Sequence, residues 1–322
     1  MAGMIRPPTF ADIRIAHARI ALHVHRTPVL SCGVIDALVG GRLLFKCENF
    51  QKAGAFKARG AFNAVLALPD DVAARGVVTH SSGNHAAALA LAARTRGIAA
   101  HVVMPRTASA SKKAAVEGYG GIIIECEPTL AAQLALADSL VAQTGGTMVP
   151  PFDSAAVVAG QGTCAIELIE DAGVELDAIL CPVGGGGLLA GTAIATDALA
   201  PGTLVVAAEP MAADDAARGF RDGVLQPQVL PATTVADGLT TAMSDMTFGV
   251  MQALVSDVVT VSEDAIVAAM RLIWTRMKII VEPSCTVPLA AIMEGQWEAR
   301  GKTVGIILTG GNVDLDLLPW VP

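Results

Sequence analysis

The chain has 322 residues, room for one large domain or two, and at 53% hydrophobic and 16% charged residues it carries enough apolar mass for a sizeable core, which excludes disorder. A formal net charge of −8 with no Lys/Arg cluster argues against nucleic acid as a partner, and no apolar run reaches ~18 residues, so no membrane span is expected. The six cysteines (Cys32, Cys47, Cys126, Cys164, Cys181, Cys285) are scattered through apolar runs without a C-x-x-C pair and read as reduced core thiols of a cytoplasmic protein; Met1 to Pro8 offers no apolar signal core.

In chain order, residues 10 to 25 read as an amphipathic helix with Ile13, Ile15, Ala16, Ile20 and Leu22 on its apolar side, broken by Thr27-Pro28-Val29-Leu30. A strand, Leu43 to Glu48, and a turn, Asn49 to Gly54, lead to a helical run from Ala58 to Leu68. Strand and helix signals then alternate: Gly76–His80, Asn84–Arg96, Ile98–Met104, Ser109–Tyr119, Gly121–Glu125 and Leu130–Gln143. Pro150 to Ser154 marks a boundary, after which the alternation resumes: helix Gly162–Asp171, strand Ala178–Val183, helix Leu188–Leu199, strand Leu204–Ala208, helices Ile266–Met277 and Pro288–Arg300, and a last strand Val304–Leu308. No further regulatory domain is expected after it. Short apolar strands alternating with helices define an α/β chain whose parallel sheets are covered on both faces. Residues 75–150 are expected to form a small domain, and 1–65 with 151–322 a large one.

Four stretches carry chemistry. In Gly54-Ala55-Phe56-Lys57-Ala58-Arg59-Gly60, Lys57 stands at a strand-to-helix junction, where partial burial lowers an ammonium pKa and yields a nucleophilic amine. Ser81-Ser82-Gly83-Asn84-His85-Ala86 opens a helix with two hydroxyls, a glycine and an amide, a cradle for a carboxylate. Gly184-Gly185-Gly186-Gly187-Leu188 follows a strand and offers bare amides to a phosphate; no Lys-Ser/Thr follows, so it is not a Walker loop. Thr309, in Leu308-Thr309-Gly310-Gly311-Asn312, ends a strand where such sheets bind ligands. Each alone has a plainer reading: a surface lysine, an ordinary N-cap, a flexible turn, a turn threonine. Together, an amine, a phosphate cradle, a carboxylate cradle and a neutral hydroxyl are the contacts of pyridoxal phosphate and an amino acid. A dinucleotide-binding regulator, or a cofactor binder without turnover, fits the glycines but leaves Lys57 and the Ser81 loop unused.

These motifs, with Glu48-Asn49-Phe50-Gln51, Ala159-Gly160-Gln161-Gly162-Thr163, Ala236-Asp237-Gly238-Leu239 and Glu282-Pro283-Ser284, resemble the serine/threonine dehydratase and serine racemase branch of the fold type II (tryptophan-synthase-β-like) pyridoxal-phosphate enzymes. The resemblance runs in the family's order from about residue 12 onward and comes nearest to 3-hydroxyaspartate dehydratases. It implies two open, twisted, mostly parallel sheets flanked by helices, with the active site between the large and small domains, and a homodimer. It implies Lys57 as Schiff-base lysine and α-proton base, and Ser82 as the group acting from the opposite face in racemases. Phe56, Asn84, Gly184, Gly185, Gly186, Gly187, Leu188, Gly238, Glu282 and Thr309 would hold the cofactor. Ser81, Ser82, Gly83, Asn84, His85 and Gln133 would meet the amino acid. Glu209, Ala213 and Asp215 would bind Mg²⁺ or Ca²⁺ through oxygen, as hard cations require.

The implied reaction is loss of water from a β-hydroxy-α-amino acid to give a 2-oxo acid and ammonia, an EC 4.3.1-type ammonia-lyase activity; racemisation is the alternative. Pro128-Thr129-Leu130-Ala131-Ala132-Gln133 departs from relatives that place Ser and Arg there. That departure ranks threonine, serine or phenylserine as substrate ahead of 3-hydroxyaspartate, whose second carboxylate lacks the arginine.

Overall fold

The computed structural model describes residues 6–320, so Met1 to Ile5 and the last two residues, which the Met1–Pro8 reading and the expected large domain include, lie outside the described residues. Among the described residues, ten strands make two sheets. The strands are β1 (Val29–Leu30), β2 (Arg42–Cys47), β3 (Val77–His80), β4 (Ala100–Pro105), β5 (Ile122–Cys126), β6 (Thr147–Met148), β7 (Ala178–Pro182), β8 (Leu204–Pro210), β9 (Asp257–Val261) and β10 (Thr303–Leu308). The six-stranded sheet has the order β1-β2-β10-β7-β8-β9, parallel throughout except for the short antiparallel β1. The four-stranded sheet, β5-β4-β3-β6, is wholly parallel.

Helices cover the sheets, which is why the central strands read as continuous apolar runs rather than alternating ones. Every residue of β7 is buried, as is all of β10 after Thr303. One core, centred on Phe45, Leu180, Val206 and Ile306, fills one face of the large sheet, and a second, around Leu168, Ile179, Leu189 and Ile307, fills the other.

The first helix, Phe10–Ile20, begins at a capping box in which Thr9 and Asp12 exchange bonds, and buries Ile13, Ala16 and Ile20. It is shorter than expected: Ile15 is 55% and Leu22 93% exposed, and the chain leaves helical geometry after Ala21. The helix expected over Gly162–Asp171 starts earlier and spans Ala155–Ala172. Glycine disfavours helix, but here packing overrides propensity: a Cβ on Gly160 would lie 2.5 Å from the Arg59 carbonyl oxygen, so the glycine lets helix Lys57–Leu66 approach. The helix expected over Pro288–Arg300 stops at Met293, with Gly295 in the left-handed region at φ +74°. The helices Gly33–Val39, Asp215–Asp222 and Asp245–Leu254 and the strands β1, β6 and β9 carried no sequence expectation.

Candidate active site

Lys57 is the first residue of helix Lys57–Leu66. The turn before it is fixed by contacts from the far end of the chain: Phe56 N–H donates to the Thr309 carbonyl (2.9 Å), and Asn312 Nδ2 donates to the Ala53 carbonyl (2.8 Å). Gly54 adopts φ +70°, and a Cβ there would lie 2.3 Å from Asn312 Oδ1, so a side chain would strain the turn and push Asn312 off its bonds. Lys57 Nζ donates to the Pro151 carbonyl at 2.8 Å and lies 5.1 Å from the centre of the Phe56 ring. Loss of hydration pushes the amine down to about 8, while the nearby Glu282 carboxylate opposes that shift.

The glycine turn caps β7. Gly186 adopts φ +81° and Gly187 begins helix Gly187–Leu199. Among the described residues, no acceptor meets the N–H groups of Gly184 to Leu188. Side chains are excluded on the packed side of the turn: a Cβ on Gly185 would sit 2.4 Å from the Phe152 ring, and one on Gly184 3.0 Å from Leu239 Cα. Five free donors at a helix N-terminus form an anion cradle. The loop Ser81–His85 repeats the arrangement at helix Asn84–Arg96: the N–H groups of Ser82, Asn84 and His85 and the Ser82 hydroxyl have no partner among the described residues.

Asn84 is the join between the two sheets' loops. Its Nδ2 donates to Glu282 Oε1 (3.0 Å) and Oε2 (3.1 Å), and its Oδ1 accepts from Asn312 Nδ2 (2.9 Å). Burial raises the Glu282 carboxyl to about 7, against the Asn84 hydrogen bond. Gly310 leaves room for that carboxylate, since its Cβ would fall 2.6 Å from Glu282 Oε1. Gly238 N–H donates to Ser284 Oγ at 3.0 Å. Thr309 is 3% exposed and its hydroxyl has no hydrogen-bond partner among the described residues. His85 Nε2 faces the Val149 carbonyl at 3.0 Å; a carbonyl only accepts, so Nε2 carries the hydrogen and Nδ1 is bare, buried and unpartnered. Burial, with the Lys57 charge, lowers this ring to about 3, so it stays neutral.

The loop around Lys57, the Ser81 loop, Glu282 and Thr309 are thus linked by direct or one-residue contacts, and the glycine turn joins them through Phe152 and Leu239. Gln133 is not joined: it sits half-buried in the first turn of helix Leu130–Thr144, with no side-chain bond to these residues. Glu209, Ala213 and Asp215 form a separate place. Glu209 Oε1 and Oε2 accept from Ala216 N–H (3.1 Å) and Ala217 N–H (2.9 Å), and burial pushes Glu209 up to about 8 and Asp215 to about 6. No Lys, Arg or His pairs with Glu209 among the described residues, and the Ala213 carbonyl accepts no hydrogen bond there.

Sequence reasoning missed Phe152, Pro151 and Asn312, although Asn312 closes the quoted Thr309 motif. It also missed a buried ion cluster under Lys57. Arg59 donates to Glu48 Oε2 (2.7 Å) and Glu167 Oε2 (2.6 Å), and Lys46 Nζ donates to Glu167 Oε2 (2.7 Å), all four side chains nearly inaccessible.

The family of pyridoxal-phosphate dependent enzymes matches residues 20–310, and the chain belongs to it. Within that family it is a fold type II enzyme of the serine racemase and threonine deaminase kind. It is 50% identical to a beta-hydroxyaspartate dehydratase of Paracoccus denitrificans (strain Pd 1222), over 97% of this chain and 99% of that one. Its fold superposes on serine racemase from Dictyostelium discoideum with a TM-score of 0.91 at 46% identity, covering 96% of this chain and 99% of that one. A threonine deaminase from T.th. gives 0.91 at 43% identity, with the same coverages of 96% and 99%. The site fits the family's cofactor in donor chemistry: free amides suited to a phosphate, a lysine of lowered pKa for a carbonyl carbon, and an unpartnered hydroxyl at Thr309 for a ring nitrogen.

Proposed function

We propose that this enzyme removes water from 3-hydroxyaspartate, giving a 2-oxo acid and ammonia. The observation that carries the reading is Lys57: a half-buried amine with pKa lowered to about 8, set near free-amide cradles for a phosphate and a carboxylate. The choice of substrate draws on the Paracoccus dehydratase, 50% identical over nearly the whole chain.

Pyridoxal phosphate, when bound, supplies an electron-withdrawing ring that acidifies the α-hydrogen of the amino acid joined to it. The protein's residues do the rest. Gly184 to Leu188 hold the phosphate, with Gly238 and Leu239 behind them. Thr309, a neutral hydroxyl, would meet the ring nitrogen without protonating it, so the ring would be a weaker electron sink than one facing a carboxylate. Asn84, steadied by Glu282, would meet the ring hydroxyl, and Phe56 packs beside Lys57. The free N–H groups of Ser82, Asn84 and His85 grip the α-carboxylate. Lys57 takes the α-proton as a free amine. The β-hydroxyl leaves as water, taking the proton that Lys57 removed from the α-carbon and so restoring the free amine, and the released enamine becomes an imine that water hydrolyses to the 2-oxo acid and ammonia. We propose further that Glu209, Asp215 and the Ala213 carbonyl bind Mg²⁺ or Ca²⁺, an all-oxygen set that suits a hard cation.

The apolar Leu130–Gln133 stretch favours threonine, serine or phenylserine instead. Comparing kcat/KM for 3-hydroxyaspartate, L-threonine, L-serine and L-threo-phenylserine decides; we expect the dicarboxylate to lead, and a lead for threonine or phenylserine overturns the assignment. Racemisation is favoured by the unpartnered Ser82 hydroxyl and by relatives named serine racemase, and chiral analysis of recovered substrate measures its share.

A further inference from the structure

The second carboxylate of 3-hydroxyaspartate needs a cation or donors once it leaves bulk water. Gln133 offers no charge. The cations of the neighbouring stretch are Arg106, Lys112 and Lys113. Arg106 pairs with Glu127 at 2.7 Å and Lys113 with Glu125 at 2.6 Å, both inside the four-stranded unit. Lys112 alone of the three reaches across: its Nζ lies 2.7 Å from Asp237 Oδ2. It stands in the first turn of helix Ala110–Gly118, while Asp237 begins the turn Asp237–Leu239 of the six-stranded unit.

That turn belongs to the rim of the site. Gly238 bonds Ser284, two residues from the Glu282 that holds Asn84, and Leu239 lies against Gly184. The charges of Asp237 and Lys112 are both felt at the Glu282 carboxyl. The ion pair is itself weak, because its side chains are 42% and 62% exposed and water screens it. One carboxylate can replace another there at little cost.

We propose that Lys112 recognises the side-chain carboxylate of a dicarboxylic 3-hydroxy amino acid, giving up Asp237 for it as the substrate enters. Asp237 Oδ2 then marks the place that the substrate carboxylate takes. The inference rests on the dehydratase reading above, and it supplies the charge that Gln133 lacks.

Steady-state kinetics of the holoenzyme test it, with 3-hydroxyaspartate and L-serine as paired substrates. Lys112→Met lowers the ratio of kcat/KM for 3-hydroxyaspartate over serine at least about tenfold, mainly through KM, as loss of a charge-assisted bond predicts. Lys112→Arg recovers most of it. Asp237→Asn, which frees the ammonium, lowers KM for 3-hydroxyaspartate. An unchanged ratio in Lys112→Met, or an Asp237→Asn enzyme with equal or higher KM, overturns the proposal. Failure of the dehydratase reading shows separately, as absent turnover of 3-hydroxyaspartate by the unmutated enzyme.

Discussion

At Lys57 two effects oppose each other. Lost hydration favours the neutral amine, Glu282 favours the ammonium, and the balance falls near 8 rather than at the 10.5 of a free lysine. Raising the pH through that value therefore frees the nucleophile. The rate at which cofactor-stripped protein captures pyridoxal phosphate, trapped with borohydride, is expected to climb about tenfold per unit below pH 8 and to level off above it. A climb that continues to about pH 10 would mark an ordinary surface lysine. Lys57→Ala abolishes the trapped product. At this scale the sequence was legible through combination: Lys57, the Ser81 loop, the four glycines and Thr309 are each ordinary alone, and the structure links the loops that carry them. Phe152 and Pro151 were not legible, because their importance comes from what folds against them. Arg59, Lys46 and Glu167 were missed for the opposite reason, since charged residues are almost never fully buried unless paired, and pairing is invisible in one dimension.

Among the elements, helix Lys57–Leu66 is constrained twice over, by glycine contacts with helix Ala155–Ala172 and by the ion cluster at its first turn. Removing one partner from a buried cluster leaves a charge uncompensated. Glu167→Gln is expected to cost about 3–5 kcal/mol in urea unfolding. Glu170→Gln, which removes the exposed partner of Arg26 three residues on, should cost about 1 kcal/mol or less. Equal effects would show that the cluster does not anchor the helix. Helix and strand existence was readable where apolar period and breakers agreed: Asn84–Arg96 is found with the expected bounds, between Gly83 and Gly97. Asp215–Asp222 was not readable, because its polar sequence is held at its start by Glu209 from another element. The strand β9 was overlooked although its β-branched run, Val258 to Val261, lies in plain view.

For the whole molecule, we propose that the two sheets are the centres of a large domain, 1–65 with 151–322, and a small one, 75–150. Divalent metal is expected to act on the global transition, since a ligand of the native state stabilises by mass action, about 2.7 kcal/mol at a hundredfold excess over Kd. Added Mg²⁺ or Ca²⁺ should raise Tm of the EDTA-stripped protein, and Glu209→Gln should lose that rise; no change in the unmutated protein removes the metal site. The order of strands carries a last consequence, for synthesis on the ribosome. The four-stranded sheet draws on the unbroken stretch 77–148 and can close while the chain is still growing. In the other sheet β2 waits for β10, which lies between it and β7 and is made last. Thr309 and Asn312 emerge in the same late span, so the turn before Lys57, which they hold through the Phe56 N–H and the Ala53 carbonyl, takes its final shape only once that strand slots in.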